Sequence, residues 1–124
     1  MIYKQTILKN ADNLGVIWSK CIKIEGKSNV QIARLGDRIL ITLFRVSRKK
    51  KIKKKIYIGL LITTKLYTKR KDGTFIKFFQ NRVLTLSDQL KFLGTRVYGP
   101  ITREIKKDDK STLYKKIISY TSNI

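Results

Sequence analysis

Short apolar runs, each ended by a glycine or Asx turn signal, follow one another through the first three quarters of the chain. This pattern constrains the fold most, because short strands joined by tight turns in 124 residues fit a small barrel better than a layered α/β architecture. Ile2 to Leu8 is extended and stops at Asn10-Ala11-Asp12-Asn13-Leu14-Gly15, where Asx side chains and glycine favour turns. Val16 to Ile24 is the second strand, stopped by Glu25-Gly26-Lys27-Ser28-Asn29. Gln31 to Arg34 leads to a tight turn at Leu35-Gly36-Asp37-Arg38. Ile39 to Val46 then reads as apolar on both faces, as in a strand buried within a closed or sandwiched sheet. Ile56 to Leu66 is the next strand. Lys71-Asp72-Gly73-Thr74 carries the Asp-Gly hairpin signature between Leu66 to Arg70 and Phe75 to Phe79, and Val83 to Leu86 closes the β part. The expectation is a mainly-β chain forming a small barrel of the OB or SH3-like kind.

The last quarter changes character. Pro100 suits the first position of a short helix reaching Lys107, with Ile101 and Ile105 as an i, i+4 apolar pair. After a linker from Lys106 to Lys110, Ser111 is placed to cap a second helix with Leu113, Ile117 and Tyr120 on one stripe. One domain over 1–124 is expected, with barrel and ribbon in 1–99 and helices in 100–124.

Charge decides the class of partner. Lys and Arg number 29 against 8 Asp and Glu, a formal net charge of +21, which calls for a polyanion. The cations are spread from Lys4 to Lys116 rather than gathered on one amphipathic helix, which favours nucleic acid over a membrane surface. No apolar run approaches the ~20 residues of a membrane-spanning helix. A chain with no His and one Cys has no internal disulfide and lacks the commonest general base and metal ligand. Asp12, Asp37, Asp72 and Glu104 are scattered acids that form no paired-carboxylate pattern. No enzyme activity, cofactor, metal or small-molecule substrate is therefore expected; a ribonuclease working through Lys or Tyr has no motif behind it. Cys21, near Lys20 and Lys23, reads as a buried strand thiol rather than a reactive one.

The strongest local signal is Arg48-Lys49-Lys50-Lys51-Ile52-Lys53-Lys54-Lys55, seven of whose eight residues are basic, suited to lying along phosphates. Aromatics alternate with cations in Tyr67-Thr68-Lys69-Arg70-Lys71 and Phe75-Ile76-Lys77-Phe78-Phe79. Such residues stack on unpaired bases or fill a core, and the pattern alone leaves both open. Gly94-Thr95-Arg96, followed by Tyr98-Gly99-Pro100, is a glycine-flanked turn ahead of the expected helix; backbone amides at that helix N-terminus and Arg96 would attract phosphate, and a simple strand-to-helix connection is the other reading of the segment.

The turns and their order resemble a known family. Met1-Ile2 with Gln5-Thr6, Ala11-Asp12-Asn13 with Gly15, Cys21-Ile22, Gly26 with Ser28, Ile32 with Gly36-Asp37, Asp72-Gly73 with Ile76, Phe78 and Asn81, and Gly94 through Pro100 with Arg103-Glu104 match the universal large-subunit ribosomal protein numbered fourteen. The resemblance runs to Ile118-Ser119. It implies a five-stranded β-barrel with a projecting β-ribbon and two short C-terminal helices. It also implies large-subunit rRNA and neighbouring large-subunit proteins as partners, and an exposed face toward small-subunit rRNA in an intersubunit bridge. Carried over, it places Gln5, Thr6, Asn13 and Ser28 in RNA-facing loops, and Gly94, Thr95, Arg96 and the helix holding Arg103 in the outward region. A free single-stranded RNA chaperone of the OB type is the alternative.

This sequence departs from the family where Phe92-Leu93 stands in place of a Pro before Gly-Thr-Arg, where Phe79 replaces an acid, and where Ile62-Thr63-Thr64 replaces Val-Arg-Thr. Ala occurs only at Ala11 and Ala33 and Pro only at Pro100, a bias that an A+T-rich genome produces. Together these favour a mitochondrial ribosome; a plastid or bacterial ribosome is the alternative. With no presequence pattern at Met1-Ile2-Tyr3-Lys4-Gln5, synthesis inside the organelle is expected.

Overall fold

The computed structural model describes residues 2–24, 32–46, 55–102, 105, 117 and 119. Seven strands run in chain order: β1 (Ile7–Asn10), β2 (Val16–Ile24), β3 (Arg38–Val46), β4 (Ile56–Thr63), β5 (Thr68–Lys69), β6 (Phe75–Ile76) and β7 (Arg82–Leu86). Five of them close a barrel in the order β1-β2-β3-β4-β7, and β5 with β6 forms a separate two-stranded ribbon. Closure comes from β1 pairing in parallel with β7, the other barrel pairs being antiparallel. No barrel strand is left with an open edge, and the expected small five-stranded barrel is what forms.

Two apolar clusters share the walls of the barrel. Its interior holds Ile2, Leu8, Cys21, Ile24, Ala33, Ile39, Ile41, Tyr57, Leu61 and Val83. The second lies on the opposite face of β4 and β7, where Leu60, Ile62, Leu84 and Leu86 meet Ala11, Val97, Ile101, Ile105 and Ile117. Strand alternation explains the division: along β4, Tyr57 and Leu61 face one cluster while Leu60 and Ile62 face the other. Each fully buried Leu or Ile contributes about 1.5–3 kcal/mol relative to exposure. Gly59 is paired with Ile39 of β3 on one side and Thr85 of β7 on the other, and a Cβ there would sit 2.6 Å from Val83 Cγ2 and 3.1 Å from Ile41 Cγ2.

Several expectations need correcting. The strands buried on both faces are β4 and β7, not Ile39 to Val46; in β3 only Ile39 and Ile41 are buried, and Phe44 is 58 % exposed. Composition alone did not separate them from β3, because burial of their second face depends on the C-terminal part of the chain lying against it. The first strand starts at Ile7 and runs through Asn10, while Ile2 makes an isolated bridge to Ala33. Asn10 stays in the strand, contrary to its turn preference, because its side chain is buried. It donates to Thr85 Oγ1 at 3.0 Å and accepts from the Ser19 hydroxyl.

Pro100, Ile101 and Thr102 are not helical, so no helix begins at Pro100. The Pro100 carbonyl instead accepts from Arg82 Nη2 at 2.8 Å, and Ile101 is fully buried. The rest of both expected helices lies outside the described residues, apart from Ile105, Ile117 and Ser119.

The ribbon turn follows the Asp-Gly signal through a variant geometry. Gly73 has φ of 88° while Asp72 is not in the left-handed region, and Gly73 N–H donates to the Arg70 carbonyl at 3.2 Å. Arg70 N–H in turn donates to the Thr74 carbonyl at 2.8 Å, so the hairpin is a three-residue loop with a glycine bulge.

Candidate nucleic-acid interface

Register places the ribbon side chains. Thr68 pairs with Ile76 and Lys69 with Phe75, and residues directly opposite share a face. Period-two alternation then puts Tyr67, Lys69, Phe75 and Lys77 on one side and Thr68 and Ile76 on the other. Exposure agrees: Tyr67 and Phe75 are each 62 % exposed, Lys69 and Lys77 are exposed, and Thr68 and Ile76 are half-buried. Aromatic and cation therefore alternate in both directions. The Tyr67 and Phe75 rings meet edge to face with centroids 6.3 Å apart, and Lys77 Nζ lies 4.9 Å from the Tyr67 ring centre. Phe79, just beyond, is 89 % exposed. Of the two uses the sequence left open for these aromatics, core packing is excluded for Tyr67, Phe75 and Phe79.

The base of the ribbon is fixed to the barrel. Phe78 N–H donates to the Thr64 carbonyl at 3.1 Å, Lys65 N–H to Asn81 Oδ1 at 2.8 Å, and Thr63 Oγ1 to the Gln80 carbonyl at 2.9 Å. At the tip, Asp72 Oδ1 accepts from the Thr74 hydroxyl at 2.6 Å and the Thr74 amide at 3.0 Å, and these bonds hold its carboxyl below the usual carboxylate range. Lys69 is exposed and Arg70 half-buried.

A second cationic surface lies on the outside of the barrel. Lys9, Trp18 and Arg45 stand in one row across β1, β2 and β3, and Ile7, Lys20, Thr42 and Ile56 in a parallel row reaching β4. Sequence reasoning missed Trp18, Lys9 and Arg45. Irregularities at Val16/Trp18, Trp18/Ser19 and Cys21/Lys23 break the simple alternation that would have flagged them.

The turn at Gly94, Thr95 and Arg96 is held from across the chain. Asn13 Oδ1 accepts from the Thr95 amide at 2.9 Å and the Arg96 amide at 3.3 Å, and Asn13 Nδ2 donates to Thr95 Oγ1 at 2.6 Å. These two amides donate within the chain. The Arg96 side chain is exposed. Arg82 anchors the following turn: its Nε donates to Thr63 Oγ1 at 3.2 Å, Nη1 to the Tyr98 carbonyl and Nη2 to the Pro100 carbonyl. A Cβ on Gly99, whose φ is 85°, would overlap that guanidinium.

The other expected contacts are dispersed. Gln5 is exposed with φ of 70°, and Thr6 Oγ1 accepts from the Tyr3 amide at 3.0 Å. Lys55 is exposed, while Arg48, Lys49, Lys50, Lys51, Lys53, Lys54, Ser28 and Arg103 lie outside the described residues. Cys21 is buried and burial raises its thiol pKa, in keeping with an inert strand residue. Among the described residues no group of three His, Cys, Asp or Glu is placed to hold a metal, and no helix is long and apolar enough to cross a membrane. A family model described as Ribosomal protein L14p/L23e matches residues 1–124, the whole of the sequence.

Proposed function

The chain belongs to the ribosomal protein L14p/L23e family, structural rather than catalytic proteins of the large ribosomal subunit, and from that premise we propose how it is used there. It binds large-subunit rRNA through its cations and presents the region of Gly94, Thr95, Arg96 and Arg103 to small-subunit rRNA across the subunit interface, in an intersubunit bridge. Arg48, Lys49, Lys50, Lys51, Lys53, Lys54 and Lys55, together with Lys69 and Arg70, neutralise phosphates. Gln5, Thr6 and Ser28 belong to loops that face RNA, and Asn13 serves by fixing the Thr95 turn. Neighbouring large-subunit proteins complete the surroundings. The observation that carries this reading is the family match along all of 1–124, and the net charge of +21 supports it.

Scarcity of Ala and Pro supports a mitochondrial ribosome as the particle. The test is to sediment a mitochondrial lysate after a high-salt wash and locate the chain by mass spectrometry. Stoichiometric presence in the large-subunit peak is expected. Release to the top of the gradient while the large subunit stays intact would favour a second reading, a loosely bound single-stranded RNA chaperone, which the exposed ribbon aromatics give some support.

A further inference from the structure

We infer that the exposed face of the β5–β6 ribbon is a stacking platform for unpaired RNA bases. The inference rests on the RNA-binding reading above and narrows it to single-stranded nucleotides seated on Tyr67 and Phe75, with Lys69 and Lys77 against their phosphates.

The geometry supplies what a nucleotide strand needs and little that a fold needs. Two rings that are each 62 % exposed, followed by Phe79 at 89 %, leave large apolar area in water while adding little to either core. A single strand of RNA repeats a flat apolar base and a phosphate charge, and this face repeats a ring and an ammonium. Tyr67 stands opposite Lys77, and Lys69 opposite Phe75. Lys77 occupies a position over the Tyr67 ring, where it is held between that ring and any phosphate of a base stacked nearby. Between residues 65 and 80 the cations are Lys65, Lys69, Arg70, Lys71 and Lys77, and the sole acid is Asp72, which is turned onto Thr74. Phe79 adds a third exposed ring beside this face and brings no charge that would repel phosphate. Charge complementarity therefore favours an anionic strand over a protein surface, which would have to bring carboxylates and flat apolar groups together.

The face is anchored rather than floppy at its base, through the Phe78–Thr64 and Lys65–Asn81 hydrogen bonds. Stacking on a preset ring costs less ordering than stacking on a mobile one, and it accepts any base because every base has a π face.

The experiment compares the full chain with a Tyr67→Leu/Phe75→Leu variant, which keeps apolar bulk and removes the rings. Tyr67→Phe serves as the control that keeps a ring. Fluorescent oligouridylate and oligoadenylate are titrated beside an RNA duplex of equal length. The expected result is roughly ten-fold or greater loss of single-strand affinity in the double variant, with duplex affinity and salt slope unchanged and Tyr67→Phe binding like the parent. Zero-length ultraviolet cross-linking of purified large subunits is expected to leave a nucleotide adduct on Tyr67 or Phe75. Undiminished single-strand binding by the double variant overturns the inference, as do ribbon cross-links that run only to protein. If the chain sediments outside the large subunit yet the variant loses single-strand binding, the ribosomal reading fails and the platform stands. If it sediments with the subunit and the variant binds normally, the platform fails and the ribosomal reading stands.

Discussion

Asn13 and Thr95 clasp each other at two points: the Thr95 amide donates to Asn13 Oδ1 at 2.9 Å, and Asn13 Nδ2 donates to Thr95 Oγ1 at 2.6 Å. A residue in the middle of the β1–β2 connection thereby sets the shape of a loop 82 positions later. The adjoining bridge between Asp12 and Val97 continues the same contact.

Asn13→Ala removes both bonds to Thr95 together with the one from the Arg96 amide, and so frees the Thr95 and Arg96 amides. The expected cost is about 1–2 kcal/mol in urea unfolding, with faster amide hydrogen exchange confined to the 94–96 turn. If that turn is the intersubunit face, subunit joining in a reconstituted system should weaken more than the small stability loss accounts for.

Arg82 uses three N–H groups on three different oxygens, at Thr63, Tyr98 and Pro100. A lysine cannot reproduce that fork, so Arg82→Lys is expected to lose about 1–3 kcal/mol despite keeping the charge. Gly99→Ala should be comparably harmful, because it combines a positive φ with overlap on the guanidinium. Thermal unfolding of the two single variants and the double variant checks this, and a double cost well below the sum would show that they act on one contact.

Gly59→Ala places a methyl 2.6 Å from Val83 Cγ2 inside the barrel. A loss of about 1–3 kcal/mol is expected, partly recovered when Val83→Ala is added to make room. Independent, additive losses would show that the barrel adjusts elsewhere.

Asp12 is buried, and desolvation raises its carboxyl above the usual range, with hydrogen bonds from Thr85 and the Leu14 backbone opposing in part. A raised folded pKa means that the folded state holds the proton longer as pH rises. Asp12 therefore adds no pH dependence below its unfolded pKa, lowers stability as pH rises toward its folded pKa, and adds none above it. Asp12→Asn retains an oxygen for the Thr85 amide, which donates to Asp12 Oδ2 at 2.9 Å, and should remove that decline. The check is the difference between parent and variant in urea midpoint across the acidic range to neutrality.

Replacing Lys49, Lys50, Lys51, Lys53, Lys54 and Lys55 by Gln should flatten the dependence of log affinity on log salt by about 0.7–0.9 per lost phosphate contact. An unchanged slope in a fluorescence titration would mean that this basic run is not a phosphate-binding segment.

Val16 to Ile24 was legible as a strand to the residue, and Lys71-Asp72-Gly73-Thr74 as a hairpin, because local apolar runs and turn chemistry mark them. The same local logic misplaced Asn10, whose turn preference yields to buried hydrogen bonds with Ser19 and Thr85. It also put a doubly buried strand at β3. The aromatics of 67–79 were visible as an alternation with lysines, but whether the rings pointed inward was not.

What the sequence determined by itself was the class of partner and the kind of fold. An excess of +21 demands a polyanion wherever the chain bends, and period-two runs with glycine turns close most readily as a small barrel. Only the tertiary structure decided that β4 is covered on both faces, that Asn13 holds Thr95, that Arg82 anchors the Tyr98–Pro100 turn, and that the ribbon rings face outward. Each of those depends on which distant segment arrives at a given face, and local propensity carries no record of that arrival.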